Sequence, residues 1–410
     1  MGAGPSNLAL MVALEDAESG LAEQTLMVEQ HAEVQWQRGM LIPWAQSQVS
    51  FVKDLATPRN PRSRFTFLNY LHEQGRMDEF VNLGTFHPYR LEISNYFRWA
   101  ASNLSRVRSR YNTRCETIAP IVGEDGTVTG WSARFGDGST VTARDVVFGI
   151  GRDAHVPAVF RDLPESRLIH STRFLDRVEE LRDNGWRRPV VVGGAQSAAE
   201  MFASVQDYVP GSSPTIIMRS IGFDYYQTSS FTNELYYSSF VDEFHSAPPQ
   251  QRERMNAEMR TTNYAGLAPY LLDSLYRDQY LQRLVGDERF RIVTTTDITS
   301  ARVDGDEVVL TTFDRKTERK SEVRCDVVLL GTGFDQRPPG LVRSAVEGAG
   351  ARDATVDRNY RVELGEDDRA GIYLHGLNED THGISDSLLS VLAQRATEIS
   401  ADMVKRRSND

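Results

Sequence analysis

Two short stretches of this sequence have the residue types and spacing to hold phosphates. At the start, MGAGPSN sets Gly2, Gly4 and Asn7 at a GxGxxN spacing. The first glycine permits a tight turn and the second lets the backbone approach a pyrophosphate. The free N–H groups of the helix that follows, NLALMVAL, then point at the anion. Glu29 ends the next apolar run, TLMVEQ, where an acid can bind a ribose hydroxyl. The second stretch is VVVGGAQSAAE, in which Gly193 supplies the turn and Gln196 and Ser197 open the helix. Ala195 stands where a second glycine would approach the phosphate, and its methyl predicts weaker binding or a displaced loop. Arg219 follows the next strand, TIIMRS, where it could pair with a 2′-phosphate and select NADPH over NADH. A solvated surface charge explains Arg219 equally well.

These loops need strands before them and helices after them, and the pattern supplies both. Apolar runs read as strands at TLMVEQ, PVVVGG, FRIVTTT, EVVLTTF, CDVVLLGTG and GIYLHG. DG pairs in GEDGTV and FGDGST mark hairpins in a β-rich stretch after Thr113. Helical periodicity runs from about Phe65 to Leu83, through ISNYFRWAASNL, over most of Asn233–Leu284, and from DSLLSV towards the end. The unit strand–glycine loop–helix thus occurs twice, which predicts an α/β chain with two Rossmann-like dinucleotide-binding domains. Two further glycine pairs, Gly149 with Gly151 and Gly331 with Gly333, follow apolar strands and resemble the return crossings of flavoproteins that bind two dinucleotides. A flavin and a nicotinamide on one chain would explain both sites. One feature runs against the pattern: the first loop has only Met1 ahead of it, where a buried strand is expected. A central strand truly missing there would predict weak flavin retention and low stability.

Composition narrows the function classes. The 410 residues are 40% hydrophobic and 25% charged, an ordinary globular balance with room for two or three domains. A formal charge of -11 argues against nucleic acid as the main partner. Cys115 and Cys325 form no CxxC pair and no metal-ligand spacing, so no metal is expected and disulfide-reductase chemistry is excluded. With no apolar run of membrane-spanning length and no leader, a cytoplasmic protein without a membrane partner is expected.

Three longer stretches carry a family resemblance: QVSFVKDLATPRNPRSRFTFLNYLHEQGR, GGAQSAAE with SSFTNELYYSSFVDEF behind it, and NEDTHGISDSLLSVLAQR. In this order, with the two loops, the chain resembles the flavin-dependent N-hydroxylating monooxygenases of siderophore biosynthesis, the ornithine and lysine N-hydroxylases. The resemblance runs from Gly2 to about Arg395. It implies FAD and NADPH as cofactors, with residues 1–155 and 331–410 binding FAD and 156–330 binding NADPH. Residues 229–285 would form a small, mostly helical substrate-binding insert. It also implies a reaction in which NADPH reduces FAD, O₂ adds, and a C4a-hydroperoxyflavin passes one oxygen to a neutral side-chain amine.

By position, Lys53 would meet the α-carboxylate of the substrate and Asn233 the same head group. Asn263 would lie near the reacting amine and the NADP⁺ ribose, and Gln48 against the flavin. Ser385 would close the pocket, while Asp386 and Leu388 would contact cofactor. Simpler readings exist for each: Lys53 as a salt-bridged or surface lysine, Asn233 and Asn263 as helix N-caps, His382 as a structural histidine. Gln37 and Ser47 depart from the family, which usually has histidine at the first position and often methionine at the second. L-ornithine is the first expected substrate, with L-lysine, putrescine and cadaverine as alternatives. A diamine would leave Lys53 without a carboxylate. Relatives are often oligomers, so a homo-oligomer, tetramer or dimer, is expected.

Two other readings compete. Baeyer–Villiger or sulfur-oxidising relatives carry FxGxxxHxxxW between the loops. Here RLIHSTRFLDRV keeps His170 without the matching glycine or tryptophan. A catalytically silent nucleotide-binding protein would account for Ala195 and the missing strand.

Overall fold

The computed structural model describes residues 1–225, 227, 229–264, 266–287, 289–352, 355–365 and 369–408. Its chain forms two α/β lobes, with a helical segment inserted between strands Thr215–Ile217 and Arg291–Val293 of the second. In the first lobe, helix Pro5–Asp16 begins directly after Gly4, with Pro5 in the first turn, where its missing N–H is not needed. Residues Asn7–Glu15 of this helix are all buried, which matches its apolar sequence on every side. It packs against helices Leu392–Ser408 and Arg90–Ser102. Strand Leu26–Val28 pairs in parallel with Arg108–Arg110, and Asp145–Phe148 pairs in parallel with Gly371–Leu374.

Met1 and Gly2 bridge these two pairs. Gly2 N donates to Val28 O at 2.8 Å, Gly149 N donates to Met1 O at 3.0 Å, and Met1 N donates to Val147 O at 2.6 Å. The backbone entering the first glycine loop therefore occupies the central position of this sheet. An antiparallel sheet of Cys115–Val122, Val128–Phe135 and Thr140–Ala143 lies alongside, with glycine turns at Gly126 and Gly138.

The second lobe is built on a five-stranded parallel sheet. Its spatial order is Arg291–Val293, Thr215–Ile217, Pro189–Val192, Val327–Leu330, Leu168–His170. The interior strand Val327–Leu330, between Pro189–Val192 and Leu168–His170, is buried along its whole length, as a parallel strand covered on both faces must be. Helices Phe174–Asp183 and Gln196–Tyr208 bury Phe174, Val178, Met201 and Phe202 against it. An antiparallel sheet of Thr296–Asp304, Glu307–Asp314 and Arg319–Cys325 covers another side. One apolar core lies within the first lobe, and a second packs Met40, Ile42 and Ala45 against helices and strands of the second lobe.

Two helical expectations need correction. The run Phe65–Leu83 splits into Phe67–Glu73 and Met77–Leu83, because Gly75 adopts a left-handed φ of +66° between them. The last helix starts at Leu392, and the DSLLSV ahead of it forms two 3₁₀ turns, Ile384–Ser387 and Leu389–Val391. No helix among the described residues is long and apolar enough to cross a membrane.

Candidate active site

The first glycine loop is built for close approach. Gly2 sits at φ +87°, and a Cβ there would lie 2.7 Å from Gly149 O. Gly149 in turn has no room for a side chain, since a Cβ would come within 2.5 Å of Asn7 Cγ. Asn7 is buried and donates to Met1 O at 2.7 Å and Gly2 O at 2.8 Å. It holds the turn from behind rather than facing a ligand. Glu29 accepts from Ala3 N at 2.8 Å and from His31 N at 2.9 Å, so its carboxylate braces the loop at the cleft edge.

Gly2, Gly4 and Glu29 line a cleft of about 950 Å³. The cleft continues past Trp36, Gln37 and Gln48 to Arg152, Gly376 and Leu388. Ser47, the position noted as unusual, is buried, and its hydroxyl bonds the Val49 backbone instead; Gln48 and Val49 line the cleft. His375 was not anticipated from sequence. It is 1% exposed, lines the cleft, and neither ring nitrogen has a partner among the described residues. Burial holds it neutral, with Arg395 and the Met1 amine adding to the effect. A buried imidazole with two orphaned nitrogens, beside an uncapped helix N-terminus and two glycines with no space for a Cβ, fits a large polar nucleotide. An FAD is of the right kind for this cleft.

At its other end the cleft reaches Ser197 on the second glycine loop, with Met40, Ser171 and Thr172 between. Gly193 has φ +131°, and a Cβ there would meet Gly331 O at 2.4 Å. Ala195 is the N-cap of helix Gln196–Tyr208 at φ -103°, which any residue adopts, so its methyl strains nothing in the chain itself. Gln196 faces inward: it donates to Glu200 Oε1 at 2.8 Å and accepts from Ala268 N at 2.8 Å. Arg219 is exposed just beyond strand Thr215–Ile217. His170 bonds Thr172 and Gly333 O at 3.0 Å, a structural tie at the strand end.

The 3₁₀ turns at 384–391 form the seam between this cleft and the residues expected to meet substrate. Ser387, Leu388 and Leu389 line the cleft. From the other side Lys53 Nζ donates to Ser390 Oγ at a long 3.4 Å. Lys53 is half-buried, and burial lowers its pKa from the ordinary 10.5. Ser385 is buried with a hydroxyl that has no partner among the described residues. Asp386 is fully engaged, accepting from Arg395 Nη1 at 2.6 Å and from Asn378 N at 2.7 Å, so it shapes the turn.

Asn263 ends helix Pro249–Asn263, and the next residue, Tyr264, bonds Ser387 Oγ at 3.1 Å. Of the TTNYAG run, Ala265 lies outside the described residues. Asn233 is an exposed residue of helix Ser230–Glu234, whose following Tyr236 packs on Met259 and Ile384. Neither asparagine is a helix N-cap; Ser229 and Pro248 hold those places. The turns thus gather Lys53, Ser385 and the Asn263 end of its helix around one edge of the cleft. Arg219 is not among the residues that line the cleft.

Comparison with known proteins decides the family. Residues 1–336 match the family of L-lysine 6-monooxygenases and L-ornithine 5-monooxygenases. The chain belongs to that family. The L-ornithine N(5)-monooxygenase of Pseudomonas aeruginosa is 34% identical over 98% of this chain and 92% of its own length. The L-ornithine N(5)-oxygenase of Arthrobotrys oligospora is 35% identical over 97% of this chain and 86% of its own. Among solved structures, the ornithine N-hydroxylase of Kutzneria sp. 744, described with reduced FAD, NADP⁺ and L-ornithine, superposes with a TM-score of 0.91. It is 34% identical over 99% of this chain and 98% of that one. The enzyme class read from the sequence, a flavin-dependent N-hydroxylating monooxygenase, agrees with this membership.

Proposed function

We propose that this protein is an FAD- and NADPH-dependent monooxygenase that hydroxylates the side-chain amine of L-ornithine, for hydroxamate siderophore biosynthesis. The observation that carries the choice of an amino acid is Lys53. Its ammonium is half-buried at the cleft edge, and its described partner is a serine hydroxyl 3.4 Å away. A desolvated cation so weakly paired is a site for an anion, and a substrate α-carboxylate supplies one. Asn233 would hydrogen-bond the same head group, and Asn263 would hold the far amine and the NADP⁺ ribose. Ser385, whose buried hydroxyl has no partner among the described residues, would close the pocket.

FAD would lie on Gly2, Gly4, Glu29, Gln48, His375 and Leu388, and NADPH on Gly193, Ser197 and Arg219. Bound there, the flavin supplies the oxygen atom taken from O₂, using electrons from NADPH. The chain's own part is to keep water from the cleft, present the amine neutral, and hold it at reacting distance. Curated relatives named for ornithine favour that substrate over L-lysine. The added methylene of lysine changes selectivity by only about 1–3 kcal/mol. A homo-oligomer, dimer or tetramer, is proposed on the same likeness, with light scattering after gel filtration as its test.

The substrate reading is tested by kcat/KM for L-ornithine, L-lysine, putrescine and cadaverine in the wild type and in Lys53→Ala. Loss of one charge-assisted contact predicts about a 10–100-fold fall for L-ornithine, through KM, with the diamines unchanged. A diamine that outperforms L-ornithine in the wild type would refute the amino-acid reading. No turnover of any amine would favour a silent nucleotide-binding protein.

A further inference from the structure

Arg90 and Glu200 lie in different lobes, 110 residues apart in sequence, and both are buried. Arg90 starts helix Arg90–Ser102 of the first lobe, and Glu200 sits one turn into helix Gln196–Tyr208, the helix that follows the second glycine loop. Their groups meet fork to fork, with Nη1 to Oε2 at 2.8 Å and Nη2 to Oε1 at 2.7 Å. Arg90 Nη1 also donates to Met40 O at 2.6 Å.

The backbone around Arg90 holds the segment that carries Gln48. Arg90 N donates to Ala45 O at 2.8 Å, and Ser47 N donates to Pro88 O at 2.8 Å. On the other side, Gln196 links Glu200 to the backbone of Ala268, and Tyr270 Oη accepts from Gln46 N at 3.1 Å. One continuous chain of hydrogen bonds therefore runs from the Gln48 segment to the first turn of the helix at the second glycine loop.

We propose that the Arg90–Glu200 pair is an interlobe latch that sets where the nicotinamide stands relative to the flavin. This rests on the reading of the two glycine loops as FAD and NADPH sites. A buried ion pair is a poor net source of stability, because removing two charges from water offsets their attraction. Its distinctive property is direction: a planar fork facing a carboxylate fixes both distance and angle, which apolar packing does not. Hydride transfer needs that precision, since reacting atoms must stand about 3–3.5 Å apart. Here each partner of the transfer is held by a different lobe. Arg90 and Glu200 are positioning residues in this account.

The test uses Glu200→Gln and Arg90→Lys in the full-length protein. Four quantities are measured: FAD bound per chain, NADPH affinity, the limiting rate of flavin reduction at saturating NADPH, and hydrogen exchange at residues 40–48 and 196–205 without nicotinamide. The latch predicts unchanged FAD content, an NADPH Kd within about threefold, a limiting rate lowered about tenfold or more, and faster exchange in both segments. Arg90→Lys keeps the charge but loses the fork, and should show the same defect. A lower melting temperature with a wild-type limiting rate and wild-type exchange would overturn the proposal and leave the pair merely structural. If Glu200→Gln fails to fold, the double variant R90Q/E200Q, which buries no lone charge, is measured in the same way. A wild-type rate there also overturns it. If NADPH fails to reduce the flavin of the wild type, the cofactor reading falls first and takes the latch with it.

Discussion

A half-buried ammonium with one long hydrogen bond among the described residues is an incomplete structure, and Lys53 is such a group. Its titration gives a test beyond simple removal. Burial lowers the Lys53 pKa below 10.5, and the form that binds a carboxylate is the protonated one. The kcat/KM for L-ornithine should therefore fall on an alkaline limb that begins below pH 10.5. In Lys53→Arg the guanidinium stays charged, so this limb should move upward while the acid limb set by the substrate amine remains. An alkaline limb that is identical in both proteins would belong to some other group. At this scale the sequence showed which residues sit at the loops, but not where their side chains turn. Asn7 and Gln196 occupy their expected positions, yet Asn7 bonds the turn behind it and Gln196 bonds Glu200 and Ala268. Spacing dictates backbone position; the rotamer is chosen by neighbours distant in sequence. His375 had no sequence signal at all, since what marks it is burial with both nitrogens unpaired among the described residues.

The two glycine loops work as elements, each a turn and an uncapped helix start, the second led by strand Pro189–Val192 and the first only by Met1. Their glycines differ in what they tolerate. A Cβ on Gly193 would collide with the Gly331 carbonyl at 2.4 Å, in a backbone conformation that L residues rarely adopt. Gly193→Ala should therefore distort the second loop, raise KM for NADPH at least about tenfold, and leave FAD content unchanged. Ala195→Gly should act in the opposite direction, because it removes the methyl from the position where the proposed loop would approach a phosphate. A fall of about two- to fivefold in KM for NADPH is expected, and a rise would show that the methyl makes a contact the nucleotide needs. Strand–loop–helix units were legible because apolar runs and glycines act locally. The end of the chain was less so. DSLLSV reads as helix, but Asp386 is held by Arg395 and Asn378, and Gly383 at φ +81° redirects the chain ahead of it. The helix can begin only after those contacts are made, at Leu392. These same turns gather Lys53, Ser385 and Ser387 at the cleft edge.

At the scale of the whole molecule, buried polar contacts between distant segments add to the apolar packing of Met40, Ile42 and Ala45 against the second lobe. His382 is one of these. It is fully buried, stacked on Tyr360 with ring centroids 4.0 Å apart, and bonded to Thr381 and to Arg358 O, with His245 5.2 Å away. Burial lowers its pKa to about 4 from an ordinary 6.5. The unfolded chain then binds a proton that the folded chain refuses. The neutral ring contributes its full stability above pH 6.5 and loses it as pH falls toward 4, about 3 kcal/mol in all. His382→Gln should melt lower at pH 7 but decline less steeply between pH 6.5 and 4; parallel slopes would assign the acid sensitivity elsewhere. The two-lobed architecture was visible in the sequence as a repeated motif. The contacts that align the lobes were not, because Arg90 and Glu200 stand 110 residues apart with no local pattern to join them. An aligned cleft that hydroxylates the side-chain amine of L-ornithine is tested by the hydroxylated product formed per NADPH consumed, with FAD added. A ratio near one is expected with L-ornithine. NADPH consumption that yields only hydrogen peroxide would contradict it.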